Sequence, residues 1–301
     1  MKLVILRYLW CLLYRSKIVT LLSDLSFTRV MYFCHFCKRL SIDCPEDFNE
    51  KIQWLKLYYR NNLYVTCADK YAVREFVREK IGEKYLNKCI GVYERIDDIK
   101  FTELPERFAL KATHGSGWNI VCSDKRKLNW KSACRRMRRW LKSDFSRVGR
   151  EWQYHEIKPR VICEAFMEES DGSSLVDYKL YTFKGDVKYI AVEFNGNDGR
   201  HCINIYDSGW KFQPDKKLAA PNAPHLMQDT PGCLEELKEV ARKLSADFPM
   251  CRVDLYVVGG KKIIFGELTF TPGKGCNAFS PQTFCDELGS YIELPERTWD
   301  S

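Results

Sequence analysis

The sequence predicts an α+β protein in which helices come first and mostly antiparallel strands follow. Two observations carry this. Up to about residue 100, apolar residues recur at helical spacing. Beyond it come short runs rich in β-branched and aromatic residues, closed by Gly-containing turns. One such run poses a question of its own. In "RVDLYVVGGKKIIFGELTFTPGKG", residues 252–275, two strands joined near Gly259-Gly260 carry Asp254 and Glu267 inside apolar stretches.

The 301 residues suffice for one large domain or two to three small ones with a sizeable core. At 45% hydrophobic and 29% charged, the chain reads as soluble and globular, not disordered. A net charge of +8 favours anionic partners and leaves nucleotides, acidic saccharides, anionic lipid and nucleic acid open. Residues 1–44 read as a basic, apolar, helical segment. Its apolar stretch, residues 3–14, is interrupted by Arg7 and closed by Arg15 and Lys17, so it falls short of the roughly 20 residues of a membrane span. No small-residue cleavage site follows, which disfavours a signal peptide. The expectation is a cytoplasmic protein with this helix packed on the domain. The alternative is a basic helix resting on the inner membrane face. Fourteen cysteines without a regular framework read as reduced thiols, and the CxxC of Cys34 and Cys37 lacks a second pair for zinc.

Taken in order, "CPEDFNEKIQWLKLYYRN" predicts a helix after Pro45, with Glu46 and Asp47 in its first turn and Phe48, Ile52, Leu55 and Tyr59 on one face. "ADKYAVREFVREKIG" predicts another, capped by Asp69, apolar at Val73, Phe76 and Val77, and ended by Gly82. Residues 45–104 are accordingly expected to be helical. "RFALK", "WNIVC" and "RVICE" then read as strands. Between the last two lies a helix, "NWKSACRRMRRWLKSDF", with Ala133, Met137 and Trp140 on one face. Arg135, Arg136, Arg138 and Arg139 cover most of the rest. Without base-stacking aromatics this basic run reads as a solvated face, and nucleic acid is not an expected partner. "VDYKLYTFKGDVKYIAVEF" is a hairpin turning at Lys184-Gly185-Asp186. A last long helix, "TPGCLEELKEVARKLSADF", has Pro231 in its first turn and Leu234, Leu237, Ala241, Leu244 and Phe248 on one side.

Side chains alternate along a strand, so the register of the final hairpin fixes where its acids meet. A turn at Gly260-Lys261 sets Asp254 opposite Glu267, and a turn at Gly259-Gly260 sets them diagonally. Either way they share a face, with Cβ atoms about 4.5–5.5 Å or roughly 7–8 Å apart. Carboxylates that close repel unless a cation or shared proton relieves them. Mg²⁺ suits such oxygen donors; a salt-bridged pair with Arg252 or a lysine is the alternative. In "FALKATHGSGWNI", Lys111 ends a strand before the loop His114-Gly115-Ser116-Gly117. Small residues there let backbone N–H groups approach a phosphate, and the lysine adds a point charge. By itself this is also an ordinary hairpin turn. No GxxxxGK[ST] or helix-opening GxGxxG occurs. Glu164 ends its strand before Phe166 and Met167, where it can accept hydrogen bonds from a ribose or amine, or simply mark the core's edge. Lys179, on one face with Asp177, is a charge in an apolar strand and expects an anionic neighbour. Two lysines, a small-residue loop and two carboxylates are what a nucleoside triphosphate with Mg²⁺ requires.

From about Pro45 onward the chain resembles the TupA-like family of the ATP-grasp superfamily, found with bacterial surface-polysaccharide genes. The resemblance is carried by "FNEKIQWLKL", "ADKYAVREFV", "FALKATHGSG", "REWQYHEIKPRVICEAFM", "DYKLYTFKG", "RVDLY" and "FGELTFTPGKG". It implies the ATP-grasp fold: two α+β lobes of largely antiparallel sheet gripping ATP, beside a helical N-terminal region. The ATP-grasp domain would span 105–301, with lobe 1 at about 105–164, a hinge at 164–168 and lobe 2 at 168–301. By motif position, Lys111 would contact phosphate, and His114, Gly115, Ser116 and Gly117 would form the loop over the phosphates. His114 would bond phosphate or aid proton transfer. Glu164, with Phe166 and Met167, would hold ribose and adenine, and Lys179 would lie near the transferred phosphate. Asp254 and Glu267 would bind Mg²⁺, with Thr269, where many relatives have Asn, as a weaker ligand.

The implied activity is a two-step ligation through an acyl phosphate, joining a carboxylate to an amine on a capsular or cell-wall polysaccharide, for example an amino acid to a uronic acid. Arg200, His201 and Arg252 are the expected substrate contacts, with a plain surface loop as the alternative for the first two. A sugar kinase or glycosyltransferase and a non-catalytic nucleotide-binding module are the competing readings. No D-x-D favours the glycosyltransferase.

Overall fold

The computed structural model describes residues 10–12, 14, 18–169, 175–195 and 200–299. It holds two antiparallel sheets. The first joins β1 (Cys89–Tyr93), β2 (Phe108–Ala112), β3 (Asn119–Cys122) and β4 (Val161–Ala165) in the order β1-β4-β2-β3. The second joins β5 (Asp177–Phe183), β6 (Asp186–Asn195), β7 (His201–Asp207), β8 (Cys251–Val258) and β9 (Lys262–Thr269) in the order β7-β6-β5-β8-β9.

In the first sheet, Phe108, Leu110, Ile120 and Cys122 turn one face onto the helix Trp130–Leu141. Ala133, Met137 and Trp140 complete that core, as their spacing predicts. Arg135, Arg136, Arg138 and Arg139 are exposed, and Arg138 pairs with Asp97. The second sheet is covered on both faces. Leu180, Val253 and Leu255 pack under the helix Leu234–Ser245. Tyr181, Phe183, Ala191 and Ile205 pack against the helices Phe48–Tyr58 and Gln282–Ser290. Burial on both faces is why β5 is buried from Tyr178 to Phe183 without alternation.

Several elements depart from expectation. β1 comes from a stretch read as helical, and it forms an edge of the first sheet through pairing with β4. β7 replaces the loop expected around His201. A helix at Asn62–Ala68 was not anticipated. Asp47 is the N-cap of its helix, accepting from the Glu50 N–H, so Glu46 and Asp47 both precede the first turn. Tyr59 is the C-cap of that helix. Asp69 accepts from the N–H of Tyr71 (2.8 Å) and Ala72 (3.3 Å), and the helix itself starts at Val73. Pro231 precedes the helix that begins at Leu234. Most of the apolar stretch 3–14 lies outside the described residues, although Trp10 and Tyr14 pack on Phe27 and Met31. Among the described residues no helix is long and apolar enough to cross a membrane. All fourteen cysteines are free thiols, Cys34 buried and Cys37 exposed.

The β8–β9 hairpin solves the register by a route the sequence did not suggest. Val258 pairs with Lys262, so the loop has three residues, and Gly259 and Gly260 both adopt positive φ. Continued unbroken, that pairing would set Asp254 opposite Gly266 and turn Glu267 to the other face. A bulge between Asp254 and Leu255 inserts one residue, and Asp254 pairs with Glu267 after all. Gly266 is the residue that permits it, because a Cβ there would lie 2.8 Å from the Asp254 carbonyl oxygen. Gly266→Ala should therefore lower stability by about 1–3 kcal/mol in urea unfolding. Unchanged stability would mean that the bulge accommodates a side chain and does not fix the register.

Candidate functional site

The two sheets converge on a cleft of about 230 Å³. Lys111, Ser116, Gly117 and Glu164 line it from the first sheet and its loop; Asp177, Lys179, Arg252, Asp254 and Glu267 line it from the second. Lys70 and Arg74 enter from the chain leading into the helix Val73–Ile81 and from its first turn. With five cationic and four anionic side chains the lining is nearly balanced in number.

Strand register explains the convergence. Lys179 of β5 stands opposite Asp254 of β8, which stands opposite Glu267 of β9. The three form one row across the sheet. Lys179 contacts Asp177, lies 3.0 Å from Glu193 Oε2 and 3.9 Å from Asp254 Oδ2. Arg252, one alternation before Asp254, grips both its oxygens, at 2.7 Å from Nε and 2.6 Å from Nη2. It also reaches Thr269 Oγ1 at 3.2 Å and Glu267 Oε1 at 3.8 Å. Across the cleft, Glu164 lies opposite Ala109, which places it diagonal to Lys111 on the same face. Its carboxylate meets Lys111 at 2.7 Å and Arg74 at 3.4 Å. Lys70 bridges the lobes, donating to the Gly115 carbonyl (3.0 Å) and lying 3.5 Å from Glu267 Oε2.

The two acids of the hairpin differ in environment. Burial raises the Asp254 pKa, with Arg252 and Lys179 opposing. Burial would raise Glu267 too, but Lys70, Arg252 and Lys179 outweigh it and hold its carboxyl below the usual range. Lys179 is raised: burial disfavours its charge, and Asp254 and Asp177 prevail. The Glu267 side chain is 37% exposed, against 5% for Asp254. Glu267 is thus the ionised acid that opens to the cleft.

Among the described residues no group of three or more His, Cys, Asp or Glu converges as a ready metal centre. Mg²⁺ needs only one or two carboxylates when phosphate oxygens and water complete its shell. Glu267 fits that role, with Thr269 Oγ1 3.3 Å from its Oε1. Asp254 fits it only when Arg252 lets go, since both its oxygens are engaged. The salt-bridged alternative holds for Asp254 as it stands.

Other expected residues lie elsewhere. His114 is buried inside the first lobe, with Nε2 2.9 Å from the Trp140 carbonyl and its ring edge-to-face on Trp118. The loop presents Ser116 and Gly117 to the cleft instead, and neither His114 nor Gly115 lines it. Phe166 stacks on the Arg107 guanidinium, 4.1 Å from the ring centre, in a separate depression. Met167 is half-buried beyond β4 and does not line the cleft. His201 does not line it either, although its Nε2 lies 3.4 Å from Glu193 Oε2 in the Lys179 cluster. Arg200 is exposed just before β7. Arg252 is in the cleft, but its guanidinium serves Asp254. Sequence reasoning missed Lys70 and Arg74, whose signal is the pair of basic residues one helical turn apart in "ADKYAVREFV". It also missed the apolar wall of Leu86, Tyr256 and Phe265.

A family model described as TupA-like ATPgrasp matches residues 50–293. No match was found among the curated proteins. Among solved structures, the chain is similar to D-alanine–D-alanine ligase from Bacillus anthracis complexed with ATP (13% identity, TM-score 0.42, 76% of this chain and 60% of that one). It is also similar to D-alanine–D-alanine ligase from Helicobacter pylori (16%, TM-score 0.44, 83% and 70%). A third is the L-amino acid ligase from Bacillus licheniformis (16%, TM-score 0.42, 70% and 44%). The chain thus spans less than two thirds of the first and third of these enzymes.

Burial lowers the His114 pKa from its ordinary 6.5, and the Trp140 hydrogen bond opposes this only in part. Above pH 6.5 the ring is neutral in folded and unfolded chains, so it costs nothing. As pH falls below that, the unfolded chain takes up a proton the folded one resists, and stability declines until the lowered folded pKa is passed. Urea unfolding between about pH 7.5 and 5 should show this decline, reduced in His114→Asn. Equal slopes in both proteins would exclude the ring as its source.

Proposed function

Since the chain belongs to the TupA-like ATP-grasp family, we propose that it is an ATP-dependent, ADP-forming carboxylate–amine ligase of bacterial surface-polysaccharide synthesis. The supporting observation is the cross-strand row Lys179–Asp254–Glu267 facing Lys111, Ser116 and Gly117 across one cleft. Leu86, Tyr256 and Phe265 suit the adenine ring, and Glu164 suits a ribose hydroxyl. Backbone N–H groups around Ser116 and Gly117, with Lys70, Lys111 and Lys179, suit the phosphates. Glu267, with Thr269 and, once released by Arg252, Asp254, would hold Mg²⁺, which when bound neutralises charge on the transferring phosphoryl group.

In this reading a substrate carboxylate oxygen attacks the γ-phosphorus and the bond to the bridging oxygen breaks, giving an acyl phosphate and ADP. An amine then attacks the acyl carbon and phosphate leaves. The chain's contribution is positioning and charge: Lys111 and Lys179 stabilise the transferring group, and a closed loop keeps water from the acyl phosphate. Arg200 and His201, outside the cleft lining, are the candidate contacts for an acceptor carboxylate, His201 lying beside Glu193 of the Lys179 cluster. The acceptor pair consistent with family context is an amino acid and a uronic acid of a capsule or cell-wall polymer. A requirement for ATP would suit a reaction in the cytoplasm.

Lys111→Ala should weaken ATP binding about 10- to 100-fold, or about 1.4–2.7 kcal/mol by calorimetry. Unaltered affinity would remove Lys111 from the phosphate site. Glu267→Gln should fold normally yet lose at least ~100-fold in ADP release, within the range set by a lost charge-stabilising group. Hydroxylamine supplied with ATP and the correct carboxylate should yield a hydroxamate. Turnover with a sugar alcohol and no hydroxamate from any carboxylate would establish a kinase instead.

A further inference from the structure

A second cleft, about 400 Å³ in volume, shares no lining residue with the first. Arg60 lines it, just past the helix Phe48–Tyr58. Residues near the C-terminal end of the described chain cross here. The N–H groups of Thr298 and Trp299 both donate to the Tyr58 carbonyl, at 3.0 and 3.1 Å. The Arg60 N–H donates to Thr298 Oγ1 at 2.6 Å, and that hydroxyl donates back to the Arg60 carbonyl at 3.0 Å. These bonds hold the guanidinium between two indoles, 4.6 Å from the Trp152 ring centre and 5.2 Å from that of Trp299.

The guanidinium is poorly matched by the protein around it. Among the described residues its side chain makes one hydrogen bond, to the Lys56 carbonyl at 3.2 Å, and no carboxylate lies within ion-pair distance of it. Asp24 and Glu156 act on it only from further away, and Asp24 is committed to Arg150 at 3.2 Å. A half-buried cation left with spare donors calls for an anion, and a planar fork of donors suits a carboxylate. The rest of the lining is mixed, with Arg150 held by Asp24 and His155 lying 3.2 Å from Asp144. Trp299 is 53% exposed, which leaves indole surface free for the apolar side of a ring. Asn62 and Glu156 edge the cleft. Glu156 repels any anion, a nearly doubly charged phosphate more than a singly charged carboxylate, and it can accept from sugar hydroxyls.

We propose that this cleft binds a carboxylated saccharide, its carboxylate on Arg60 and its ring against Trp299. The inference stands on this cleft alone, so it is tested without nucleotide and its outcome is separate from that of ATP turnover. The full chain would be titrated with a galacturonate trimer by calorimetry. Saturable binding is expected, weakened at least tenfold by Arg60→Gln and by Trp299→Ala, with ATP affinity unchanged in the latter. A neutral glucose trimer, acetate and inorganic phosphate should each bind at least tenfold more weakly. Trp299 is a surface side chain, so its variant keeps the test decisive even if thermal unfolding shows Arg60→Gln to be misfolded. No binding to the unaltered chain, or binding undiminished by Trp299→Ala, would overturn the proposal. So would phosphate or acetate binding as tightly as the uronate.

Discussion

Lys179 and Asp254 face each other on the middle strands of a sheet that is covered on both sides. Taking such charges out of water costs several kcal/mol each, and their attraction repays this only with close partners. Every neighbour of the pair is arranged accordingly. Asp177 and Glu193 flank the lysine, while Arg252 grips the aspartate with two short bonds. Apolar residues of similar volume would be a cheaper way to fill the middle of a sheet. Stability alone therefore gives no reason for this row, and its opening onto a cleft supplies one. In the proposed function, a triphosphate there would meet cations already ordered by the acids beside them.

That row depends on parity. Strand side chains alternate, so a one-residue error in β9 would carry Glu267 away from Asp254 and out of the cleft. The three-residue loop introduces such an error, and the bulge at Gly266 removes it. On sequence alone the two acids share a face because both two-residue turns, at Gly259-Gly260 and at Gly260-Lys261, leave them on the same side. The sequence did not show how, since a loop of three residues with a compensating bulge has the same outcome as a turn of two.

Legibility followed how local each signal was. Lys111, Glu164, Lys179 and Glu267 were readable because each interrupts or ends an apolar strand. β1 was not, since all five of its residues are half-buried and no alternation marks it. The helix Asn62–Ala68 has seven residues, with Val65 and Thr66 in its middle, too few and too β-branched to stand out. His114 was correctly placed in a small-residue loop, but its direction is set by the Trp140 carbonyl, 26 residues away. Lys70 and Arg74 were seen as part of a helix. Their chemistry appears only when Glu164 and Glu267, about 90 and 200 residues further on, are brought beside them.

The helical region before the sheets is part of the site's construction for a related reason. The turn after β9 places Gly273, Lys274 and Gly275 consecutively at positive φ, leaving carbonyls that no regular element satisfies. The helix Phe48–Tyr58 supplies the partners. Gln53 donates to the carbonyls of Lys274 (3.0 Å) and Gly275 (2.8 Å), and Asn49 exchanges hydrogen bonds with the backbone of Asn277. Lys56, its pKa pushed down to about 8 by burial, donates to the Gly149 carbonyl at 2.9 Å. Glu151, two residues on, bonds the Thr271 hydroxyl. The same helix packs Phe48, Ile52 and Leu55 into the core, while its buried polar side chains hold the irregular turn in one shape. That turn begins within a few residues of Glu267, so the shape it keeps is also what fixes the end of β9 against the cleft.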